Sequence, residues 1–334
     1  MKKIIAYARL LRLPGIGALA LPPVIAALTI GITDLYDISL LFLIGCYSVV
    51  YGFVLNDYAD IKIDEKVQIL HGKPLVSGRI KPRNALMICI LLILLTYLSI
   101  FVLWRGTVID DFKIIAILCI FLAGTLGSIY DLFGKEIPGS DFFVALSMSL
   151  IFLFGALSFG KTNELIWIIF ILTFNQTLHM NSVEGGIKDA DHDPKMGVKN
   201  VALLSGVKVR GINIIIPNSF KAFSIGIRLF SSVLLFTPFI FFNYSYEIWQ
   251  IALLSLGIIG VLFFSFKLLT IKTFNRSQIR KYIGIQSFLR YSLVPLMLVS
   301  IVGVTVAVIL IIFPIAWYII FTPLVGEKLF KPRM

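Results

Sequence analysis

The chain has 334 residues, of which 58% are hydrophobic and only 14% are charged. Soluble proteins carry about a quarter of charged residues, so the composition excludes an ordinary water-soluble fold and indicates that the bilayer solvates most of the apolar surface. The net charge of +12 would suggest a nucleic-acid partner for a soluble protein. Here the basic residues lie between apolar runs, as in cytoplasmic loops that face anionic lipid headgroups. We therefore expect membrane lipids as partners and no nucleic acid.

Apolar stretches of about 20 residues recur along the whole chain, and each is long enough to cross about 30 Å of hydrocarbon as a helix. They predict an all-α polytopic membrane bundle, one domain over residues 1–334, with nine membrane helices near 13–32, 38–56, 84–104, 112–131, 141–160, 164–183, 223–243, 247–268 and 288–312. The last stretch is ambiguous because apolar sequence continues past Pro314 to Val325. It fits either one long kinked helix or a helix followed by a short re-entrant segment.

Basic residues are concentrated on one side of this predicted bundle. Of the 30 Lys and Arg residues, 24 belong to the N-terminus and to the regions on the same side as it. The positive-inside rule makes that side cytoplasmic, so the N-terminus and the polar loops 57–83 and 184–222 should face the cytoplasm from the cell membrane. Three of the remaining cations, Lys328, Lys331 and Arg333, lie in the C-terminal tail and leave a tenth crossing open.

The cysteines and histidines show no metal-binding or disulfide pattern. Cys46, Cys89 and Cys119 lie inside apolar runs and are not spaced as CxxC, which is typical of small buried side chains. The three histidines are not spaced as HxxxH or HExxH. A zinc enzyme and a disulfide-stabilised domain are therefore not expected.

A first acidic motif, Asn56-Asp57-x-x-Asp60-x-x-x-Asp64, follows directly on the second apolar run. Steps of three and four residues bring its carboxylates onto one helix face. A solvated helix end would also place acids here. However, carboxylates near membrane depth are costly and usually functional, and several on one face need a cation to offset their repulsion.

A second acidic motif, Asp189-x-x-x-Asp193, begins loop 184–222 and contains Asp191. Hard oxygen ligands select Mg²⁺ over zinc or copper, and Mg²⁺ is usually shared between a few carboxylates and substrate phosphates. Two such clusters predict a Mg²⁺-bound diphosphate as substrate, because the metal takes up the negative charge that develops on departure. Nearby cations can bind the same oxygens, namely Lys62, Lys73, Arg79, Lys188 and Lys199.

The two motifs resemble the NDxxDxxxD and DxxxD signatures of the UbiA superfamily of intramembrane prenyltransferases. The stretches 73–79 and 194–200 are similar to the segments that follow these signatures. The resemblance implies transfer of a polyprenyl group from its diphosphate to a lipophilic acceptor, either an aromatic quinone precursor or a glycerol-ether lipid precursor. It further implies that Asn56 contacts the substrate and that Mg²⁺ is bound by Asp57, Asp60, Asp64, Asp189 and Asp193.

The catalytic base and one diphosphate lysine are not fixed by the resemblance. Asp60, Asp64 and Asp191 are all candidates to accept a proton from the acceptor. The family often carries YxxxK after the fourth helix, whereas here Tyr130 precedes Lys135 with one extra residue between them. Either the loop bulges, which makes Tyr130 and Lys135 site residues, or Lys135 is not the equivalent lysine.

Two other classes of membrane protein are weighed against this prediction. A transporter or channel could use clustered carboxylates as a cation site, but it predicts acids in the middle of broken helices, whereas these acids cluster at one membrane face. A CDP-alcohol phosphotransferase also uses Mg²⁺, but its Asp-Gly-x-x-Ala-Arg signature is missing from the sequence. The transporter is thus the main alternative to an enzyme.

Overall fold

The computed structural model describes residues 2–326, so the tail cations Lys328, Lys331 and Arg333 lie outside the described residues. The chain divides into two compact units. Unit 1 comprises Met1–Phe133, Leu150–Thr162 and Phe313–Met334, and unit 2 comprises Gly134–Ser149 and Asn163–Ile312. Each acidic motif belongs to a different unit, the first to unit 1 and the second to unit 2.

Helices form almost all of the regular structure in the described residues. The first half of the chain forms α1 Lys2–Leu10, α2 Leu13–Leu19, α3 Pro22–Thr29, α4 Leu35–Ala59, α5 Ile61–Asp64, a 3₁₀ turn Gln68–Leu70, α6 Pro82–Leu103, α7 Asp111–Phe133 and α8 Asp141–Leu157. The second half forms α9 Glu164–Leu178, a π-helix His179–Gly185, α10 Gly186–Lys188, a 3₁₀ turn Asp193–Met196, α11 Val201–Leu204, α12 Asn218–Phe241, α13 Ile248–Leu269, α14 Arg276–Met297, α15 Val299–Val302 and α16 Val304–Leu324.

The first predicted membrane segment, 13–32, is not one continuous helix. Arg12 adopts a left-handed conformation (φ 47°, ψ 46°) and separates α1 from α2, and prolines occupy the first turns of both α2 and α3. Proline has no N–H to donate to the preceding turn and is best tolerated at a helix start, so Pro14 and Pro22 favour separate short helices.

The ninth predicted segment, 288–312, is also wrong in its bounds. Helix α14 ends at Met297, and the chain turns through α15 to Gly303, whose φ of 81° ends the helical path before α16 begins at Val304. Pro314 lies within α16. The apolar sequence beyond 303 is therefore a separate helix of 21 residues rather than a continuation or a short re-entrant segment.

Seven helical spans in the described residues are long and apolar enough to cross a bilayer, and they are Lys3–Thr29, Leu35–Ala59, Pro82–Leu103, Asp111–Phe133, Asn218–Phe241, Ile248–Leu269 and Val304–Leu324. Helix α8 is apolar but shorter. The predicted count of nine is not confirmed. Among the predicted segments, 141–160 and 164–183 form the shorter helices α8 and α9, of 17 and 15 residues.

The long segment between α11 and α12 forms a β-hairpin. Strand β1 (Lys208–Arg210) pairs antiparallel with β2 (Asn213–Ile215), and Gly211 in the two-residue turn has a φ of 60°, as such turns require. The Ile214 amide donates to the Lys272 carbonyl, and the Phe274 amide donates to the Ile212 carbonyl. The hairpin is therefore attached to the segment that leads into α14.

Close backbone packing holds α4 in unit 1. A Cβ at Gly45 would overlap the carbonyl of Ala20, where the chain passes from α2 to α3. Small residues permit such close approach, and in membranes van der Waals packing between helices contributes much of their association. Since α4 carries the first acidic motif at its C-terminal end, this contact also restrains the position of the motif in unit 1.

We predict that Gly45→Ala lowers the stability of the protein, because the added methyl group forces the α4 backbone away from Ala20. Overpacking of this kind costs about 1–3 kcal/mol. The measurement is thermal unfolding in detergent. The matched control is Gly124→Ala on α7, where nothing lies within 4 Å of the added Cβ; equal stability of the two variants would contradict the packing argument.

Candidate active site

The first acidic motif is buried at the C-terminal end of α4 and in the short α5 that follows. Asp57 lies in the last turn of α4, Asp60 directly after it, and Asp64 at the end of α5, with exposed fractions of 3%, 7% and 3%. The Asp60 amide donates to the Asn56 carbonyl, and the Asp64 amide donates to the Asp60 carbonyl. The chain thus keeps helical spacing through the motif, which is the geometry that the spacing predicted.

Two of these carboxylates converge on one cation, the ammonium group of Lys73. Its Nζ lies 3.1 Å from Asp57 Oδ1 and 2.7 Å from Asp64 Oδ2. Burial alone would lower the pKa of Lys73, but the two carboxylates raise it above its ordinary value. The sequence had placed Lys73 near the diphosphate; the structure shows it between two predicted metal ligands.

Arg12 is a second cation at this cluster and was not among the predicted site residues. Its Nη2 donates to Asp57 Oδ1 at 2.7 Å, and its guanidinium lies over the Phe53 ring, 5.0 Å from the centroid. The left-handed backbone that orients Arg12 is uncommon for a residue other than glycine and costs about 1–3 kcal/mol. From the sequence alone, Arg12 could not be distinguished from the other basic residues of the N-terminus, which were attributed to the positive-inside rule.

Asp131 is a further acid at the first cluster that the sequence analysis missed. It lies in the last turn of α7 and forms a side-chain hydrogen bond with Asn56. Near it, the Tyr51 and Ser128 hydroxyls are 2.8 Å apart and connect α4 to α7. The available signal was the position of Asp131 at the end of an apolar run, directly after Tyr130, which is half-buried.

Two of the predicted substrate-binding cations are not brought to the first cluster. The side chains of Lys62 and Arg79 are exposed, and within residues 2–326 neither forms an ion pair. Their assignment rested on proximity in sequence, which does not determine side-chain direction in a loop.

The second acidic motif lies in unit 2 on a turn rather than on a continuous helix. Helix α10 ends at Lys188, the Asp189 amide donates to the Gly185 carbonyl, and the Asp193 amide donates to the Asp189 carbonyl. Pro194 lies in the first turn of the 3₁₀ segment Asp193–Met196. The turn nevertheless brings the two carboxylates close enough to interact.

Asp193 has an unusual charge environment. Burial raises its pKa to about 6, and the like charge of Asp189 contributes to the rise. Opposing this, the nearby charges of Lys135 and Lys188 favour the ionised form of Asp193. A bound cation would relieve the repulsion between the two carboxylates, so this pair fits a divalent metal in both charge and donor type.

The predicted lysines of unit 2 lie around this motif. Lys188 Nζ is 3.2 Å from Asp189 Oδ2. The backbone amide of Lys199 donates to the Lys135 carbonyl at 2.9 Å, although the Lys199 side chain is exposed. The structure therefore brings Lys135 to the second acidic motif.

Asp191 forms an ion pair with Arg276, which was not among the predicted site residues. Arg276, at the start of α14, places Nη2 2.6 Å from Asp191 Oδ1 and 2.8 Å from His192 Nδ1, and 3.9 Å from Asp189 Oδ1. Asn200 donates to Asp193 Oδ2 at 2.9 Å. Each of the three aspartates of this segment thus has an identified polar neighbour in unit 2.

Neither cluster is arranged as a complete metal site in the described residues, since no three Asp, Glu, His or Cys side chains converge as metal ligands there. The donor types nevertheless fit Mg²⁺, which takes one or two carboxylates and completes its shell with water and phosphate oxygens. The convergence of Asp57 and Asp64 on the single atom Lys73 Nζ shows that this carboxylate pair can hold a cation.

Comparison with known proteins identifies relatives over most of the chain. The sequence model of the UbiA prenyltransferase family matches residues 20–293. A 4-hydroxybenzoate octaprenyltransferase of Shewanella frigidimarina is 29% identical over 209 residues, which cover 61% of this chain and 70% of the relative.

Two solved structures share the fold. A digeranylgeranylglyceryl phosphate synthase matches with a TM-score of 0.64 and 20% identity over 91% of this chain and 100% of that chain. A UbiA homolog from Archaeoglobus fulgidus, bound to GPP and Mg²⁺, matches with a TM-score of 0.61 and 21% identity over 89% of this chain and 99% of that chain. These matches confirm the predicted all-α membrane bundle. The chain therefore belongs to the UbiA prenyltransferase family and is an integral membrane prenyltransferase.

Proposed function

We propose that this prenyltransferase transfers a polyprenyl group from a prenyl diphosphate to a lipophilic acceptor and requires Mg²⁺. In this proposal Asp57, Asp60 and Asp64 bind metal in unit 1, and Asp189 and Asp193 bind metal in unit 2. The observation that carries it is the convergence of two buried carboxylates on one cationic atom, Lys73 Nζ. The GPP and Mg²⁺ in the Archaeoglobus fulgidus homolog support the same chemistry.

Bound Mg²⁺ would neutralise the diphosphate and stabilise the charge that it acquires as the allylic C–O bond breaks. The protein supplies further cations for the same oxygens. Lys73 and Arg12 are already paired with carboxylates at the first motif, and Lys188 and Lys135 lie at the second. We propose that these side chains bind diphosphate oxygens when metal occupies the carboxylates.

The proton released by the acceptor needs a base, and the candidates remain Asp60, Asp64 and Asp191, with Tyr130 as a further catalytic candidate. Asp60 and Asp64 are buried, which favours proton transfer in a site protected from water. Asp191 is held by Arg276. Asn56, which hydrogen-bonds Asp131, is proposed to contact the substrate, together with the exposed cations Lys62, Arg79 and Lys199.

The acceptor class is left as two alternatives by the relatives. One is named a 4-hydroxybenzoate octaprenyltransferase and another a digeranylgeranylglyceryl phosphate synthase. We therefore propose an acceptor that is either an aromatic quinone precursor or a glycerol-ether lipid precursor. We also propose that both acidic motifs face the cytoplasm from the cell membrane, because most Lys and Arg residues lie on that predicted side.

We predict that Asp57→Asn and Asp189→Asn each reduce kcat/KM at least about 100-fold, the usual loss when one group that stabilises developing charge is removed. The measurement is Mg²⁺-dependent transfer of radiolabelled farnesyl or geranylgeranyl diphosphate in nanodiscs. The control is Asp34→Asn, at the exposed start of α4, where Asn still caps the helix. Full activity of either motif variant would exclude the proposed metal role.

We predict that Lys73→Met destabilises the metal-free protein by about 1–3 kcal/mol, because two buried carboxylates lose a hydrogen-bonded counterion. Mg²⁺ should then raise the Tm of this variant more than that of the wild type, since the metal replaces the missing cation. The measurement is a thermal shift against Mg²⁺ concentration without prenyl substrate. Lys66→Met, on an exposed residue of the same loop, is the control; equal Mg²⁺ shifts in all three proteins would argue against metal binding there.

We predict that the purified enzyme prenylates one of the two acceptor classes and not the other. Competing 4-hydroxybenzoate and geranylgeranylglyceryl phosphate in one reaction, with products separated by mass spectrometry, measures the ratio of kcat/KM directly. A product from neither acceptor, with the diphosphate still cleaved, would overturn the proposed acceptor classes and leave the diphosphate chemistry in place.

A further inference from the structure

Unit 2 contains a buried charged network that the proposed chemistry does not use. The Glu184 carboxylate, 1% exposed, accepts from Arg228 at 2.9 Å and from Arg290 at 2.7 Å. His179 lies against the same carboxylate and is fully buried. Charged groups this deep in a membrane protein are costly and usually functional, so the network requires an explanation.

The protonation of His179 follows from its neighbours. Arg228 Nη2 lies 2.7 Å from His179 Nδ1, and because a guanidinium can only donate, Nδ1 must accept. The ring proton therefore lies on Nε2 and is donated to Ser224 Oγ at 2.9 Å. His179 is neutral, and Glu184 is the carboxylate that both guanidinium groups share.

Glu184 and His179 both belong to the π-helix His179–Gly185. His179 is its first residue and is held by Ser224 and Arg228 of α12, while Glu184, near its end, is held by α12 and by Arg290 of α14. π-Helices are rare in proteins, and those that occur are frequently found at functional sites. The segment is thus fixed at both ends by side chains from two neighbouring helices.

The second acidic motif follows this π-helix after one helical turn. The Gly185 carbonyl, the last of the π-helix, accepts from the Asp189 amide, and the Asp189 carbonyl accepts from the Asp193 amide. Relative to an α-helix, a π-helical turn contains one additional residue. Because each residue of an α-helix advances by about 100° about the axis, the residues that follow the π-helix are rotated by about that angle. The π-helix therefore determines the direction in which the two carboxylates point.

We propose that Glu184 is a positioning residue for the reaction. Clamped by Arg228 and Arg290, it holds the π-helix in the conformation that presents Asp189 and Asp193 to the metal-bound diphosphate. The inference rests on the proposed function only through the metal role of these two aspartates. Residues that orient metal ligands typically change metal affinity about 10- to 100-fold when replaced.

The test must separate positioning from folding, because removing Glu184 alone leaves two buried guanidinium groups without their carboxylate. The triple variant Glu184→Leu/Arg228→Leu/Arg290→Met removes the whole charged cluster, and apolar replacement of a buried ionic triad is often neutral or stabilising. We expect it to remain folded by circular dichroism and Tm, and to need at least about 10-fold more Mg²⁺ for half-maximal activity.

The single variant Glu184→Gln retains a hydrogen-bonding group and is expected to raise the Mg²⁺ requirement less than the triple variant. The matched control is Ser265→Ala, which removes a buried 2.8 Å hydrogen bond from Ser265 of α13 to Gln286 of α14 and leaves Glu184, Arg228 and Arg290 in place. It should lower the Tm without changing the Mg²⁺ requirement. This pattern distinguishes a positioning role from a general loss of stability.

An unchanged Mg²⁺ requirement in the folded triple variant would overturn the inference. Should the triple variant fail to fold, an unchanged requirement in Glu184→Gln, with a lowered Tm, would overturn it equally. Failure of the proposed function is a separate result, namely that the wild-type enzyme transfers prenyl groups at the same rate in EDTA and in Mg²⁺. A Mg²⁺-dependent wild type with insensitive Glu184 variants would contradict the positioning role alone.

Discussion

The interaction on which the site depends is the neutralisation of carboxylates that are buried next to an apolar bundle. Asp57 and Asp64 lie where unpaired charge is strongly unfavourable, and the chain supplies Lys73 and Arg12 to compensate them. In the proposed function this compensation is exchangeable, because a divalent cation would satisfy the same oxygens and would free the two basic side chains for an anionic ligand. The proposed enzyme therefore needs its metal and its diphosphate together.

In unit 2 the carboxylates of the second acidic motif are compensated in a different way. This motif is partly exposed. Burial, together with the like charge of Asp189, raises the pKa of Asp193, and a bound metal would relieve the repulsion between the two carboxylates. Behind it, Glu184 pairs with two buried arginines and anchors the π-helix before the motif. The first motif is thus supported by the regular geometry of α4, and the second by a clamp of side chains on an irregular segment.

The sequence predicted the membrane bundle and the spacing of Asp57, Asp60 and Asp64, since apolar length and helical periodicity are local properties. It failed where the answer depends on distant residues. Arg12 and Arg276 lie 45 and 85 residues from their aspartate partners, and no spacing rule connects them. The helix breaks between α2 and α3 and near Gly303 were missed because apolar composition does not record backbone conformation. Arg228 and Arg290 were counted among the basic residues of the predicted cytoplasmic side, but both are buried within helices.

The central claim, that the carboxylates bind the diphosphate through Mg²⁺, is tested most directly by calorimetric binding of a non-reacting prenyl thiodiphosphate to the enzyme in nanodiscs. The account predicts binding in Mg²⁺, its loss in EDTA, and at least about 10-fold weaker binding in both Asp57→Asn and Asp189→Asn, as expected when one ligand of a shared metal is removed. Equal affinity in EDTA, or unchanged affinity in either variant, would contradict it.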